Sequence, residues 1–195
     1  MFAMLLTEAS LAERQEEPAR DRDVEHRLIR AAASDPKAVA MLYRQHHEAI
    51  ARYVLRRVGQ SSIAEDLVAD VFLSMVRYLP RYRVGETPFR AWLYRLATNR
   101  VNRWARWRRW RVFRQLQDVP ARENPDRKSD LSGVRAALLT LPVRFQSVLS
   151  LHYLEEMSVQ RVAEILGCAE GTVKSRLYRG RKMLRELLNE SDGES

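Results

Sequence analysis

One cysteine, Cys168, is all that the 195 residues contain, so no internal disulfide and no Cys-rich zinc site can form, and a reducing compartment is favoured. Glycine and proline number only seven each. Runs of alternating apolar and polar residues are missing, whereas apolar residues recur three and four apart through most of the chain. That argues against a β-rich fold and predicts an all-α one. No stretch approaches the ~18 uncharged apolar residues of a membrane span. The apolar start, Met1 to Leu6, has no basic flank before it and meets Glu8 almost at once, unlike a signal peptide. Enzyme signatures are equally scarce: there is no phosphate-cradling glycine loop and no nucleophile elbow, and His46-His47-Glu48 is followed by Ala51 where a helical zinc pair needs its second histidine. His26, His46, His47 and His152 read as solvated or core-edge side chains, Cys168 as a small packing residue, and no metal or cofactor is expected.

What the chain has in excess is cationic charge. Lys and Arg number 34 against 25 Asp and Glu, a formal net charge of +9 and a pI near 10.2, which points to a polyanionic partner: nucleic acid or an anionic membrane surface. The hydrophobic share, 46%, is enough to build a core for one or two compact domains.

Residues 1–23 mix acidic and basic side chains and read as a weakly ordered lead-in, at most one short helix. Asp35 followed by Pro36 is an N-cap and first-turn pair for a helix to about Val58, with Val39, Leu42, Tyr43, Ile50, Val54 and Val58 toward one side and Gly59 ending it. Ser61 or Ser62 is the expected cap of the next helix, whose Ile63, Ala64, Leu67, Val68, Val71, Phe72, Met75 and Leu79 keep a three-four spacing to Pro80. Thr87-Pro88 starts a third, with Phe89, Trp92, Leu93, Leu96, Ala97, Val101 and Trp104 on one stripe. Three such helices make a bundle. Periodicity lapses over 113–130, a polar linker interrupted by Pro120 and Pro125 that spans roughly 60 Å when fully extended. It resumes from Leu131 in a small second helical module.

The most informative segment of that module is Ser158 to Leu177, which fits a helix-turn-helix. Val159, Val162, Ala163 and Leu166 form an inner face, Gly167 permits a left-handed turn, and Val173 and Leu177 pin the second helix. That helix then turns Thr172, Lys174, Ser175, Arg176 and Arg179 outward, donors suited to base edges and phosphates in a major groove; Arg181 continues the basic end. An ordinary helical hairpin with a solvated basic face is the blander reading of the same spacing.

In the first module, Arg100 to Arg114 contains seven Arg and three Trp with no acidic residue. Arg grips phosphate bidentately and indole rings stack on unpaired bases, so Arg100, Arg103, Arg106, Arg109, Trp107 and Trp110 are nucleic-acid candidates. Trp104 continues the apolar stripe and reads as core, a place Trp107 could share; Trp110 reads as exposed. A basic amphipathic membrane helix is the competing reading. The opposite face of the second helix carries Glu65, Asp66 and Asp70 on an otherwise basic chain, either for solubility or as a docking face for a basic partner.

Three stretches carry a family resemblance: Ala64-Glu65-Asp66-Leu67-Val68-Ala69-Asp70-Val71-Phe72-Leu73, then Phe89-Arg90-Ala91-Trp92-Leu93-Tyr94-Arg95-Leu96-Ala97-Thr98-Asn99, then Gly171-Thr172-Val173-Lys174-Ser175-Arg176-Leu177. In this order they resemble successive motifs of bacterial RNA polymerase sigma factors of the sigma-70 family, extracytoplasmic function (ECF) group, over about Asp35 to Leu188. The resemblance implies two small helical domains joined by a flexible linker: a region 2-like bundle over 24–112, the linker over 113–130, and a region 4-like helix-turn-helix over 131–190. It implies a cytoplasmic protein, nucleoid-associated when in holoenzyme, with core RNA polymerase and promoter DNA as partners and an anti-sigma factor as a further one. Carried onto this sequence, Glu65, Asp66, Leu67, Asp70 and Phe72 fall in the polymerase-clamp stretch. Phe89, Trp92 and Asn99 fall in the strand-opening stretch, Arg103 and Arg106 in the −10 helix, and Thr172, Lys174, Ser175, Arg176 and Arg179 on the −35 helix. This chain departs from the pattern at Arg103, where relatives often carry Asp, at Ala169, where a Ser or Thr cap is usual, and at Arg161, which replaces a common Glu. A stand-alone helix-turn-helix regulator that binds duplex DNA only is the rival reading.

Overall fold

The computed structural model describes residues 19–85, 87–115 and 130–192, and every described element is helical. The lead-in over 1–18 and the middle of the expected linker, 116–129, lie outside the described residues. Helix α1 spans Ala19–Ala31, beginning inside the expected lead-in, followed by α2 (Pro36–Val58) and α3 (Ser61–Tyr78). A short 3-10 turn, Leu79–Arg81, leads toward α4 (Phe89–Gln115). The second module comprises α5 (Asp130–Thr140), α6 (Val143–Leu149), a π turn (Ser150–Leu154), α7 (Val159–Leu166) and α8 (Glu170–Asp192).

Local chemistry sets most of these boundaries. Asp35 caps α2, its Oδ1 accepting from the Lys37 N–H at 2.8 Å, with Pro36 in the first turn. Gly59 ends the helix at φ 82 and donates to the Leu55 carbonyl. Helix α3 differs from expectation: its cap is Gln60, with no side-chain cap bond, because the helix already begins at Ser61. In the second module Ser158 caps α7, its Oγ accepting from the Arg161 N–H at 3.1 Å, and Gly167 closes it at φ 64. The loss of a Glu at position 161 therefore leaves that cap intact.

Leu42, Ile50, Tyr53 and Val54 of α2, Val71 and Met75 of α3, and Leu93, Ala97 and Val101 of α4 are all but sealed from solvent. This first core is continuous with that of the second module. Helix α4 packs on α7 and α6, and α2 packs on α5 and the π turn, so the modules that the sequence separates by a linker lie against each other. This explains Ile165, which falls outside the expected inner stripe of α7 yet is buried: α4 covers the side of α7 that a free-standing helix-turn-helix would leave wet.

Gly180 is buried where α8 crosses α6. A Cβ there would lie 3.1 Å from Leu149 Cδ1 and 3.3 Å from Phe145 Cβ. Gly180→Val should therefore push the helices apart and cost about 1–3 kcal/mol of stability in urea unfolding, the usual penalty of overpacking; an unchanged midpoint would show that the crossing has slack.

Candidate nucleic-acid interface and docking face

Helix α4 has three faces. One, bearing Phe89, Leu93, Ala97 and Val101, lies in the first core. A second, bearing Ala91, Arg95, Thr98 and Asn102, turns to the second module or to α2. The third carries Asn99, Arg103, Arg106 and Trp110, all exposed, with Trp107 on its edge; Trp107 and Trp110 keep 50% and 54% of their surface open. The expected core place of Trp104 holds, since it is half-buried against the core with the Arg108 guanidinium 5.4 Å over its ring. The alternative core place for Trp107 does not, since half of its surface is exposed. Arg109 lies on α4, but its side chain is outside the described residues.

Other expected contact residues are engaged elsewhere. Phe89 is buried, ringed by His46, Tyr82 and Trp92 at centroid distances of 5.3, 5.4 and 5.4 Å, so it supports the surface from beneath. Trp92 is half-buried beside Tyr82, whose hydroxyl donates to the Thr87 carbonyl and ties down the loop before α4. Arg100 reaches across to α3, donating to Ser74 Oγ at 2.8 Å and to Asp70 Oδ2 at 3.4 Å. Arg100 and Asp70 thus brace α4 against α3, a pairing that no single-helix reading reveals.

On α3, Glu65 and Asp66 are exposed, Leu67 is half-buried, and Phe72 is buried edge-on to Tyr43 at 4.7 Å. Two exposed apolar residues extend the acidic stripe: Leu73, 70% open, and Val76. Both lie one position past the inner stripe, and a large apolar residue at an outward position was the available sequence signal. The face thus combines carboxylates with an apolar ridge, a surface suited to a protein partner with basic and apolar groups.

On α8, Lys174 and Arg179 are exposed and Thr172, Ser175 and Arg176 are half-exposed, so the structure brings all five onto one helix; Arg181 is half-buried and donates to the Tyr153 hydroxyl at 2.6 Å. Tyr178 joins the outer face, 66% open and one turn from Lys174, where its ring can meet a thymine methyl or a sugar. Cys168 packs on the core in the turn before α8.

Residues 42–111 match the family described as Sigma-70 region 2, and residues 132–184 the one described as Sigma-70, region 4. The ECF RNA polymerase sigma factor SigL of Mycobacterium tuberculosis is 33% identical over 175 residues, covering 84% of this chain and 96% of SigL. The ECF RNA polymerase sigma-E factor of Haemophilus influenzae is 31% identical over 175 residues, covering 82% and 92%. This chain belongs to the ECF RNA polymerase sigma factors. SigE of Mycolicibacterium smegmatis, 34% identical over 163 residues, is longer, and this sigma factor spans 63% of it. Among solved structures, the sigma factor RpoE of Bartonella quintana, in complex with the anti-sigma factor NepR, matches with a TM-score of 0.61 and 25% identity, covering 77% of this chain and 96% of RpoE. CnrH, in complex with the cytosolic domain of CnrY, matches with a TM-score of 0.66 and 25% identity, covering 85% and 97%. As an ECF sigma factor the chain directs promoter-specific transcription, and the stand-alone regulator reading is not favoured. No helix among its described residues is long and apolar enough to cross a membrane.

Two tyrosines of this sigma factor titrate abnormally. Burial, with the Glu25 charge added, pushes the Tyr82 hydroxyl up to about 12. Burial and the Glu155 carboxylate it bonds push Tyr94 up as well. Both hold their proton more tightly folded than unfolded, where the ordinary value is about 10. Their stabilising contribution is therefore whole below about pH 10 and is lost as pH rises toward 12. An alkaline titration should show helicity falling together with the late phenolate absorbance, and Tyr82→Phe should move that loss to higher pH. Phenolates that all ionise near pH 10 with helicity intact would contradict it.

Proposed function

We propose that the two matched regions divide promoter work between them. The first module, over about 24–112, docks on core RNA polymerase through Glu65, Asp66, Leu73 and Val76 and handles the −10 element along the outer face of α4. The second, over about 131–190, reads the −35 duplex with α8. The observation that carries this reading is the outward face of α4. Arg103 and Arg106 are followed there by the half-exposed rings of Trp107 and Trp110, and a factor that bound only duplex DNA would have no use for such rings. Opened strands present unpaired bases, and each base stacked on an aromatic ring is worth about 1–3 kcal/mol. Phe89 and Trp92 hold the shape of the surface from below, while Asn99 and Arg103 meet the strand. Duplex reading asks instead for a rigid helix in the major groove, and Thr172, Lys174, Ser175, Arg176, Tyr178 and Arg179 line such a helix.

No catalytic step is assigned to any residue; the chain acts by binding and positioning, in the cytoplasm and at the nucleoid when in holoenzyme. RpoE and CnrH were each solved with a partner protein, and an anti-sigma factor is proposed as a further partner here.

Glu65→Lys with Asp66→Lys should abolish co-purification with core polymerase while leaving helicity unchanged; retained co-purification would remove α3 from the docking role. Asp70 is left in place because it braces Arg100. Arg176→Ala should weaken initiation by about 1–3 kcal/mol, in a manner that depends on the −35 sequence, if the side chain meets a base edge. Equal loss at every −35 sequence would make it a phosphate contact.

A further inference from the structure

Helix α1 lies ahead of the residues that match region 2, which begin at position 42, and none of the contacts proposed above uses it. A buried polar pair nonetheless ties it to the strand-opening stretch. Glu25 of α1 and His46 of α2 have side chains 10% and 9% exposed, and the imidazole Nε2 lies 3.1 Å from Glu25 Oε1. With its proton on Nε2 the ring donates and the carboxylate accepts. The same imidazole meets the ring of Phe89, the first residue of α4, at a centroid distance of 5.3 Å. Phe89 in turn packs on Tyr82 and Trp92, whose rings lie 5.1 Å apart, and the Tyr82 hydroxyl donates to the Thr87 carbonyl. One continuous cluster therefore runs from α1 to the loop that precedes α4.

Docking α1 does not by itself call for this pair, because Leu28 and Ile29 already pack the helix on the core. What the pair adds is orientation. The last side-chain torsion of a histidine is broad and roughly two-fold, so packing alone leaves the flat ring free to turn, and an Nε2 proton buried without an acceptor is costly. Glu25 removes both problems by fixing the ring where it meets Phe89. A carboxylate this buried needs a partner in return, so α1 cannot slide along α2 without unpairing both groups. The Glu25 charge also reaches Tyr82, where it helps keep the phenol in its protonated, donating form. We propose that Glu25 and His46 are positioning residues for strand opening: the pair fixes Phe89 from α1 and, through Phe89, holds Tyr82, Trp92 and the loop over 82–88 in the shape that opened DNA meets at the start of α4. This deepens the −10 role proposed for the first module and rests on it.

Core polymerase loaded with the full chain and given genomic DNA offers two separable readouts. Sites protected from exonuclease in the cold, before strands part, report binding; permanganate-reactive thymines in the same sites on warming report unpaired strands. Glu25→Leu keeps the bulk of the side chain but leaves the imidazole without its acceptor. It should cut thymine reactivity on the order of tenfold, about what one buried hydrogen bond can hold, with cold protection unchanged. Glu25→Gln keeps an acceptor for the Nε2 proton and should open DNA as the parent does. His46→Gln keeps a donor for Glu25 but removes the ring that Phe89 meets, so it should lose reactivity too, and it carries the test if Glu25→Leu loses helicity. A folded Glu25→Leu or His46→Gln chain with full reactivity overturns the proposal. So does a loss of reactivity matched by an equal loss of cold protection, a Glu25→Gln chain no better than Glu25→Leu, or loss of helicity in both disruptive variants, each of which makes the pair a support of the fold alone. A parent holoenzyme that protects sites yet leaves no reactive thymine in them contradicts the −10 reading itself, and the pair's role falls with it.

Discussion

The guanidinium of Arg57 sits between the two modules with a phenol, an amide and a hydroxyl around it, and none of the described ion pairs includes it. Its Nε has no acceptor. A buried cation held only by neutral oxygens is tolerated when the groups around it are fixed, and here they are: the Tyr53 hydroxyl also meets Thr98 at 2.8 Å, and Ser147 Oγ lies within donating distance of Asn102 Oδ1 at 3.1 Å and of the Val143 carbonyl at 2.9 Å, with one proton for either. Three helices, α2, α4 and α6, therefore converge on one charge. The seam is polar at its centre with apolar packing around it, and the arrangement of α4 and the second module relative to one another follows from it.

Helix α4 is the element that links this seam to the proposed nucleic-acid face. It fills the first core with one face, meets the second module with another and leaves a third to solvent, so its sequence shows less contrast between an apolar and a polar side than a simple surface helix would. The division explains why neighbouring residues do unrelated work: Tyr94 bonds Glu155, Arg95 ends α7, Asn99 faces water, Arg100 braces α3 and Asn102 holds Arg57. A change at any of the buried positions from Phe89 to Val101 alters packing as well as chemistry, whereas Arg103, Arg106, Trp107 and Trp110 are exposed.

Much of the fold was legible because each module's helices bury apolar stripes at three-four spacing and end at Gly59, Pro80, Pro142 and Gly167. The outer face of α8 was legible for the same reason, since Val173 and Leu177 fix which side points in. What escaped was the contact between modules. Arg57, Tyr94, Arg95 and Glu155 are polar, and in a sequence a polar residue buried at an interface has the same spacing as one facing solvent. Ile165 escaped because the helix covering it comes from the other module. Phe72 and Phe89 stand in motifs of contact residues, yet the rings around them seal them in. The Asp70–Arg100 brace needed two helices in register, which periodicity within one helix does not supply.

A sigma factor proposed to read two separated promoter elements with two separate helices makes a direct demand on the promoters it uses. Core polymerase supplied with this chain and genomic DNA, with the 5′ ends of the transcripts sequenced and aligned, measures that demand. The account predicts discrete start points preceded by two sequence blocks centred about 25 base pairs apart. Transcripts without common start points, or a single upstream block made of two half-sites one helical turn apart, would contradict it.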